Sequence, residues 1–304
     1  MKKEPRIVLV TIVLNEEVFI QPQLTQHIDW PGVVAWIWVE GATGLYAERH
    51  SDSINTFGLS VDKTSELLQR ASRIYSVDSA KRNHHPIVYY IPFGFSDDFE
   101  KEMGDQKAVL RNVYCEICDE INPDILVVID ADEFYTSEDQ LRINKLVKDF
   151  PAYDAWILRQ RHIWRPSSIQ DNSLFDLEVI GGYWNISHCR IWRWKRGSRY
   201  FFNHNLLHYP YIKNDKIKYF RYTIDEKSVV SLPECIHLGF ARELEHRKRT
   251  NDYYVYRGEG QEPKGRNRQM YVDCRKAWED WQPGDTLPHG AKIISYVGSK
   301  IDVF

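Results

Sequence analysis

Long apolar runs are missing from this 304-residue chain: the longest, Ile125 to Ile129, is a handful of residues between acidic neighbours, against the roughly 20 that a bilayer crossing requires. A membrane-spanning helix is thereby excluded. A small-residue cleavage site is also lacking near the start, where Met1-Lys2-Lys3-Glu4-Pro5-Arg6 leads straight into Ile7-Val8-Leu9-Val10. A secretory leader is not expected, and the reading is of a cytoplasmic protein. Cysteine is scarce, at five residues, an odd count. Cys115 and Cys118 fall in a segment of helical periodicity with no second pair to accompany them, so this CxxC reads as buried, reduced thiols rather than a zinc or disulfide site. Nor is there a strong net charge, the formal value being -3. What is present, 43% hydrophobic and 27% charged residues, excludes disordered and fibrous architectures and suits a globular chain with a sizeable core.

The small net charge hides an uneven distribution. Between Trp156 and Phe202 eight Lys or Arg face three acids, and between Arg242 and Lys276 ten face six, so the rest of the chain is strongly acidic. Charge of this kind can be simple solvation of exposed faces or a surface built to meet an anion.

The first 135 residues alternate strand-like apolar runs with helix-compatible stretches, the pattern of βαβ units on a largely parallel sheet. Strands are expected at Arg6 to Leu14, Val33 to Val39, Ile87 to Phe93 and Asp124 to Ile129, with helices at Glu16 to Ile28, Asp62 to Tyr75 and Gln106 to Ile121. Val109, Val113, Ile117 and Ile121 give the last helix a core-facing stripe, and Pro123 ends it. Thr136 with Asp139 forms a capping pattern for a helix running to Phe150. Beyond that point the texture changes. Tyr153 to Trp164 and Ile186 to Trp194 read as strands loaded with Arg, His and Trp around a Gly181-Gly182 turn, giving an antiparallel, mixed half. A strand at Ser228 to Leu232 and a charged helix from about Arg242 to Tyr256 follow. The fold class is α/β, with one domain over residues 1–257, divided into halves at 135, and a C-terminal extension over 258–304.

The sharpest chemical feature is Ile125-Leu126-Val127-Val128-Ile129-Asp130-Ala131-Asp132-Glu133, an apolar strand that stops abruptly in three carboxylates. Ligands of open α/β sheets sit beyond the carboxyl ends of the strands. Extended geometry sends residues i and i+2 to the same side, so Asp130 and Asp132 address one point together. Crowded carboxylates repel unless a cation neutralises them, and magnesium or manganese takes one or two carboxylates while leaving positions for phosphate oxygens. A site for a metal and a diphosphate is expected, the alternative being acids that only cap the next helix.

Four motifs in order resemble the GT-A glycosyltransferases, particularly the inverting enzymes of family two. Thr11-Ile12-Val13-Leu14-Asn15-Glu16-Glu17 is similar to their first strand and Asn-Glu loop. Val39-Glu40-Gly41-Ala42-Thr43 matches the acidic end of their second strand, with Glu in place of the usual Asp. Arg111-Asn112 matches the pair on the helix before the fourth strand, and Asp130-Ala131-Asp132 the Asp-x-Asp. The resemblance implies a GT-A-like Rossmann-related mixed sheet and transfer from a nucleotide diphosphate sugar (UDP- or GDP-linked) to an acceptor hydroxyl. The backbone near Thr11 and the Glu40 side chain would surround base and ribose. Arg111 would lie on the nucleotide or sugar, Asp130 near the ribose or sugar hydroxyls, and Asp132 on Mn2+ or Mg2+. Independently of the family, Lys107 and Arg111 share a helix face, four residues apart.

A looser likeness returns later, in Arg190-Ile191-Trp192-Arg193, Tyr200 to His208-Tyr209, and His237-Leu238-Gly239-Phe240 with Arg247-Lys248-Arg249. It implies His237 as a second protein ligand to the metal and Arg247, Lys248 and Arg249 on the diphosphate, where leaving-group charge develops. Tyr209 stands where related sequences carry glutamate, which leaves His208, then Asp176 and Glu178, as candidates for the base that inversion by direct displacement requires. Arg159, Arg161, His162, Trp164 and Arg165, with Arg190, Arg193, Lys195, Arg196 and Arg199 and the tryptophans 156, 184, 192 and 194, suggest a wall for an anionic acceptor. That acceptor could be a phosphorylated or lipid-linked saccharide, or DNA carrying a hydroxylated base. Two other classes stay open: a metal-dependent nuclease or phosphotransferase, which also gathers acids at strand ends, and a binding module without turnover.

Overall fold

The computed structural model describes residues 4–83, 85–94, 106–152, 154–164, 178–181, 189–202, 205–207, 219–220, 233–240 and 292–295. Its N-terminal part runs β1 (Ile7–Val13), α1 (Glu17–His27), β2 (Val33–Glu40), α2 (Gly44–Arg49), a 3-10 turn (Ser51–Ser53), α3 (Thr64–Ile74), α4 (Val77–Asn83), β3 (Ile87–Pro92), α5 (Gln106–Ile121), β4 (Ile125–Val128), β5 (Glu133–Phe134) and α6 (Ser137–Asp149). Then come the strands β6 (Ala155–Ile157), β7 (Arg159–Trp164), β8 (Glu178–Gly181), β9 (Cys189–Arg193), β10 (Arg199–Phe202), β11 (Asn205–Leu207), β12 (Tyr219–Phe220), β13 (Glu234–Phe240) and β14 (Lys292–Ser295). Among the described residues no helix is long and apolar enough to cross a membrane.

The chain divides into two compact units, Met1–Arg159 with Ser187–Glu234, and Gln160–Ile186 with Cys235–Asp302. The first holds a seven-stranded sheet in the order β12-β6-β9-β4-β1-β2-β3. β4, β1, β2 and β3 run parallel, and β9 joins the edge of β4 antiparallel. This is the mixed α/β architecture expected, parallel in the first half and largely antiparallel in the second, where β12 pairs in parallel with β6. The expected strands and helices of the first half form within two residues of the ends read from the sequence.

Alternation along the strands splits the core. On one face Val8, Val10, Ala35, Ile37, Val39, Leu126 and Val128 pack with Ala108, Leu110, Tyr114, Cys115 and Cys118 of α5 and with Trp192, Trp194 and Tyr200. Cys115 and Cys118 are free and buried, as the pattern suggested, and burial pushes both thiols well above their usual range. The other face carries Trp36 stacked on Trp38, ring centroids 4.7 Å apart, and takes α1 through His27, whose ring lies edge-on to Trp36 at 5.8 Å. The Thr136 hydroxyl accepts from the Asp139 amide and donates to its carboxylate, capping α6 as expected.

Three short elements between β2 and β3, at 44–49, 51–53 and 77–83, are not legible as periodic patterns because none spans two turns of useful stripe. The single strand expected from Tyr153 to Trp164 is two: the register against β9 shifts between Trp156 and Ile157, and the second piece pairs with β8 instead. The second unit carries strands in the order β14-β8-β7-β13, with Lys292–Ser295 antiparallel to Glu178–Gly181. The strand expected at 228–232 and the helix expected at 242–256 lie outside the described residues.

Gly41 closes the end of β2 against the loop after β3. A Cβ there would meet the Gly94 carbonyl oxygen at 2.2 Å, a backbone atom that cannot rotate away. Gly41→Ala is expected to lower stability by about 1–3 kcal/mol, read as the midpoint shift in chemical unfolding.

Candidate functional site

The parallel strands end together at Val13, Glu40, Pro92 and Val128, and the polar side chains gather just beyond. β4 stops at Val128, and Asp130 to Glu133 form a hydrogen-bonded turn, the Glu133 amide donating to the Asp130 carbonyl at 2.9 Å. This corrects the extended geometry expected for the Asp-x-Asp: with Asp130 and Asp132 at different positions of a turn, alternation no longer aims both at one point. Glu133 returns its carboxylate to the Asp130 amide, 3.0 Å away.

Counter-charge comes from the protein itself. Arg190, at the start of β9 and only 2% exposed, places one guanidinium nitrogen 2.7 Å from the Asp130 carboxylate and donates also to Glu133. Arg111 of α5, equally buried, approaches Asp130 at 3.6 Å and sits over the Tyr200 ring at 5.6 Å from its centroid. Asn112 grips the Tyr200 backbone from both sides, accepting from its N–H at 2.7 Å and donating to its carbonyl at 3.0 Å. Glu133 is fully buried, and burial drives its carboxyl up to about 8 against the pull of Arg190. The Asp130 side chain remains 28% exposed, whereas its partners in this network are sealed. The repulsion that a metal was expected to relieve is thus largely met by two arginines. Among the described residues no three His, Cys, Asp or Glu groups converge as a metal cage. Asp132 is 93% covered and engaged in interactions of its own.

At the ends of β1 and β2 a second polar group forms. Asn15 adopts φ 54, a left-handed turn that asparagine tolerates better than most residues. Its amide donates to the Ser53 carbonyl at 2.6 Å and accepts from the Val61 N–H at 3.0 Å. The Asn-Glu loop therefore stitches β1 to the segment between α2 and α3. Glu40 is completely buried and accepts from the Ser60 N–H and the Ser65 hydroxyl, each at 2.8 Å, and from the Tyr90 hydroxyl. The extra methylene over the usual Asp gives the reach to Ser60. Thr11 is buried too, its hydroxyl accepting from the Trp36 indole at 3.0 Å. Lys107 is half-buried in the first turn of α5, one turn before Arg111.

Sequence reasoning missed the support of the acidic turn. Gln23, on the buried face of α1, donates through one nitrogen to the Ala131 carbonyl at 2.9 Å and to the Glu133 carbonyl. His27, one turn on, accepts from the Tyr135 N–H at 3.0 Å and bonds the Gln23 carbonyl at 3.1 Å, which fixes the ring proton on Nδ1. Gln26 and Gln140 both donate to the Tyr135 carbonyl. The signal was present: Phe19, Ile20, Gln23, Leu24 and His27 make one helical stripe, and two polar residues on an apolar stripe need polar partners inside.

Of the expected anion-binding wall, the side chains of Arg159, Arg161, His162 and Trp164 lie outside the described residues. Trp156, Trp192 and Trp194 are core residues. Arg190 is committed to the acidic turn, Lys195 pairs with Asp154 at 2.9 Å, Arg199 with Asp119 at 2.9 Å, and Arg193 covers the Trp156 ring at 5.5 Å. Three of the cations, Arg190, Lys195 and Arg199, thus answer acids within the fold, while Arg196 is exposed. His237 is half-buried on β13, and Glu178 opens β8, both in the second unit. His208, Asp176, Arg165, Trp184, Arg247, Lys248 and Arg249 lie outside the described residues.

No protein-family model matches the chain, and no curated protein sequence does either. Among solved structures the chain is similar to S. aureus TarS. For TarS 1-349 in complex with UDP the identity is 11% and the TM-score 0.33, over 57% of this chain and 40% of that one. For TarS 1-349 without that description the identity is 8% and the TM-score 0.38, over 90% and 71%. A third TarS structure gives 12% identity and a TM-score of 0.35, over 62% of this chain and 28% of that one. The chain thus spans well under half the length of two of these neighbours.

Two outcomes follow from this geometry. Arg190→Met strands two carboxylates and is expected to cost on the order of 3–5 kcal/mol, with part of the loss recovered in Arg190→Met/Glu133→Gln, measured by a double-mutant cycle in chemical denaturation. His27 is wholly buried, and desolvation lowers it from 6.5 to about 3 despite its backbone bond. Unfolding exposes an imidazole that protonates near 6.5, so stability is intact above that pH and falls, by roughly 4–5 kcal/mol, as pH drops toward 3. His27→Gln is expected to flatten that part of a stability-against-pH curve.

Proposed function

We propose that this chain is a glycosyltransferase that moves a sugar from a UDP- or GDP-sugar to an acceptor hydroxyl with inversion. The observation that carries the reading is the acidic turn beyond β4 flanked by two buried arginines, on the sheet edge where α/β proteins bind ligands. Its residues are those of the Asp-x-Asp and Arg-Asn motifs. Asn15 and the Glu40, Ser60 and Ser65 cluster shape the base side. Glu40 acts there by holding the 60–65 segment against Tyr90, because its carboxylate is already filled. Asp130, the exposed member of its network, meets the ribose or sugar hydroxyls, and Arg111 with Lys107 lies on the nucleotide side.

The donor set fits a divalent ion held by one carboxylate, Asp132, with phosphate oxygens and water completing the shell, and does not fit an all-protein cage. Manganese or magnesium bound there would neutralise charge on the departing diphosphate. His237 as a second ligand, and Arg247, Lys248 and Arg249 on the diphosphate, belong to the same reading. Direct displacement needs a base opposite the leaving group, for which His208, Asp176 and Glu178 are the candidates in that order.

The test is a thermal-shift panel of nucleotide sugars with and without manganese, where ligand at 100 times its dissociation constant stabilises by roughly 2.7 kcal/mol, followed by assay of nucleoside diphosphate release. Asp132→Asn is expected to lose both the metal-dependent shift and the release. Nicking of DNA in the absence of any sugar donor would instead make the chain a nuclease, and silence across the panel would remove the enzyme reading.

A further inference from the structure

The Asp130–Glu133 turn has little regular structure to hold it. β4 stops two residues before it and β5 is two residues long. Its own backbone supplies one bond, from the Glu133 amide to the Asp130 carbonyl, and the Ile129 amide ties the strand end to the Val10 carbonyl at 3.0 Å. Arg190 and the Glu133 carboxylate hold its acidic side chains and the Asp130 amide, and its carbonyls are held by side chains of one helix. A single Gln23 amide nitrogen reaches the carbonyls of Ala131 and Glu133, on either side of Asp132, and comes within 3.5 Å of the Asp130 carbonyl. His27 takes the Tyr135 N–H and, through Nδ1, holds the Gln23 carbonyl at 3.1 Å, so the two residues act as one unit. Both are fully buried in a helix stripe otherwise made of Phe19, Ile20 and Leu24. Satisfying buried carbonyls would need only scattered donors. Here they are concentrated on the carbonyls either side of Asp132, and the ring that fixes them is packed among Trp30, Trp36, Phe134 and Tyr135.

We propose that Gln23 and His27 are positioning residues: they form a rigid clamp from α1 that sets where Asp132 and Asp130 stand relative to the donor diphosphate. The proposal rests on the glycosyltransferase reading above. Both side chains are fully buried, so they act through the turn rather than by contact with the donor. Partners of this kind, acting through a ligand's backbone or ring, typically change affinity or activity by 10–100-fold, and a displacement of about 1 Å at a reacting centre can cost 10²-fold.

The test uses the full chain with Gln23→Met, which keeps length and loses the donor, His27→Phe, which keeps the ring and loses the acceptor, and His27→Gln, whose amide oxygen can replace Nε2. Leu24→Ala, on the same helix with no bond to the turn, is the control for general destabilisation. Backbone hydrogen exchange over residues 129–136 and UDP affinity with manganese are measured together, GDP replacing UDP if the wild type prefers it. The clamp predicts that Gln23→Met and His27→Phe exchange faster in that segment and bind the nucleotide about tenfold or more weaker. His27→Gln is expected within roughly threefold of wild type, and Leu24→Ala to unfold earlier yet bind normally. Gln23→Met binding as wild type overturns the proposal, whether or not exchange rises. Weaker binding with unchanged exchange, or an equal loss in Leu24→Ala, also overturns it. A wild type that binds neither UDP nor GDP fails at the enzyme reading itself and takes the proposal with it, an outcome told apart by its appearing before any substitution is made.

Discussion

A buried guanidinium cannot stay unpaired, and a buried carboxylate cannot stay charged without a partner. The contact of Arg190 with Asp130 and Glu133 satisfies both demands at the point where β4 gives way to a turn. Glu133 is sealed behind it, Asp130 is left at the rim, and the neighbouring Arg111 adds a second positive charge braced by Tyr200. Remove the guanidinium and Glu133 loses its ion-pair partner, while Asp130 keeps only the more distant Arg111. The sheet topology exists in a form that supplies it: β9 lies antiparallel on β4 so that Arg190 falls beside the end of that strand.

The rest of the site is held by the same logic of filling buried hydrogen-bonding groups. Asn112 fixes Tyr200, which in turn lies under Arg111. Asn15 and Glu40 fix the segment between α2 and α3 over the ends of β1 and β2. Tyr90, whose hydroxyl burial and Glu40 together keep protonated, closes the row from β3. On the face of the sheet away from α5, Trp36, Trp38, His27, Trp30 and Tyr135 pack edge and face. Positions at the strand ends are therefore set twice, from the core side by packing and from the loop side by hydrogen bonds.

How much of this was written plainly in the sequence depends on whether the determinant is local. The four parallel strands and the helices α1, α3, α5 and α6 announce themselves through periodicity and caps, and the Thr136 cap could be read from two letters. The acidic strand end was equally visible. Its geometry was not, because a turn and an extended strand write Asp-Ala-Asp the same way, and the choice between them is made by Gln23 and Arg190, 107 and 60 residues away from Asp130. The basic, Trp-rich stretch is legible only in part for the same reason. Composition registers its charge, but not that Asp119 and Asp154 would answer it. Glu40 reads as a ligand-facing acid, and the sequence gives no sign of the internal hydrogen bonds it accepts from Ser60, Ser65 and Tyr90, because these donors come from three separate segments 20 to 50 residues further on.

The strand β9 has a consequence for how the molecule is made. Its residues complete the sheet edge beside β4 and its first arginine neutralises the acidic turn, yet they are synthesised some 60 positions later. While the chain is still emerging, the early βαβ layers can assemble from near neighbours, but the carboxylates at Asp130 and Glu133 must remain wetted. The interior at that edge can dry only after Arg190 has arrived, and Tyr200 follows ten residues behind to be caught by Asn112. A truncated product ending anywhere short of that stretch would carry the acidic turn without the charge that lets it be buried.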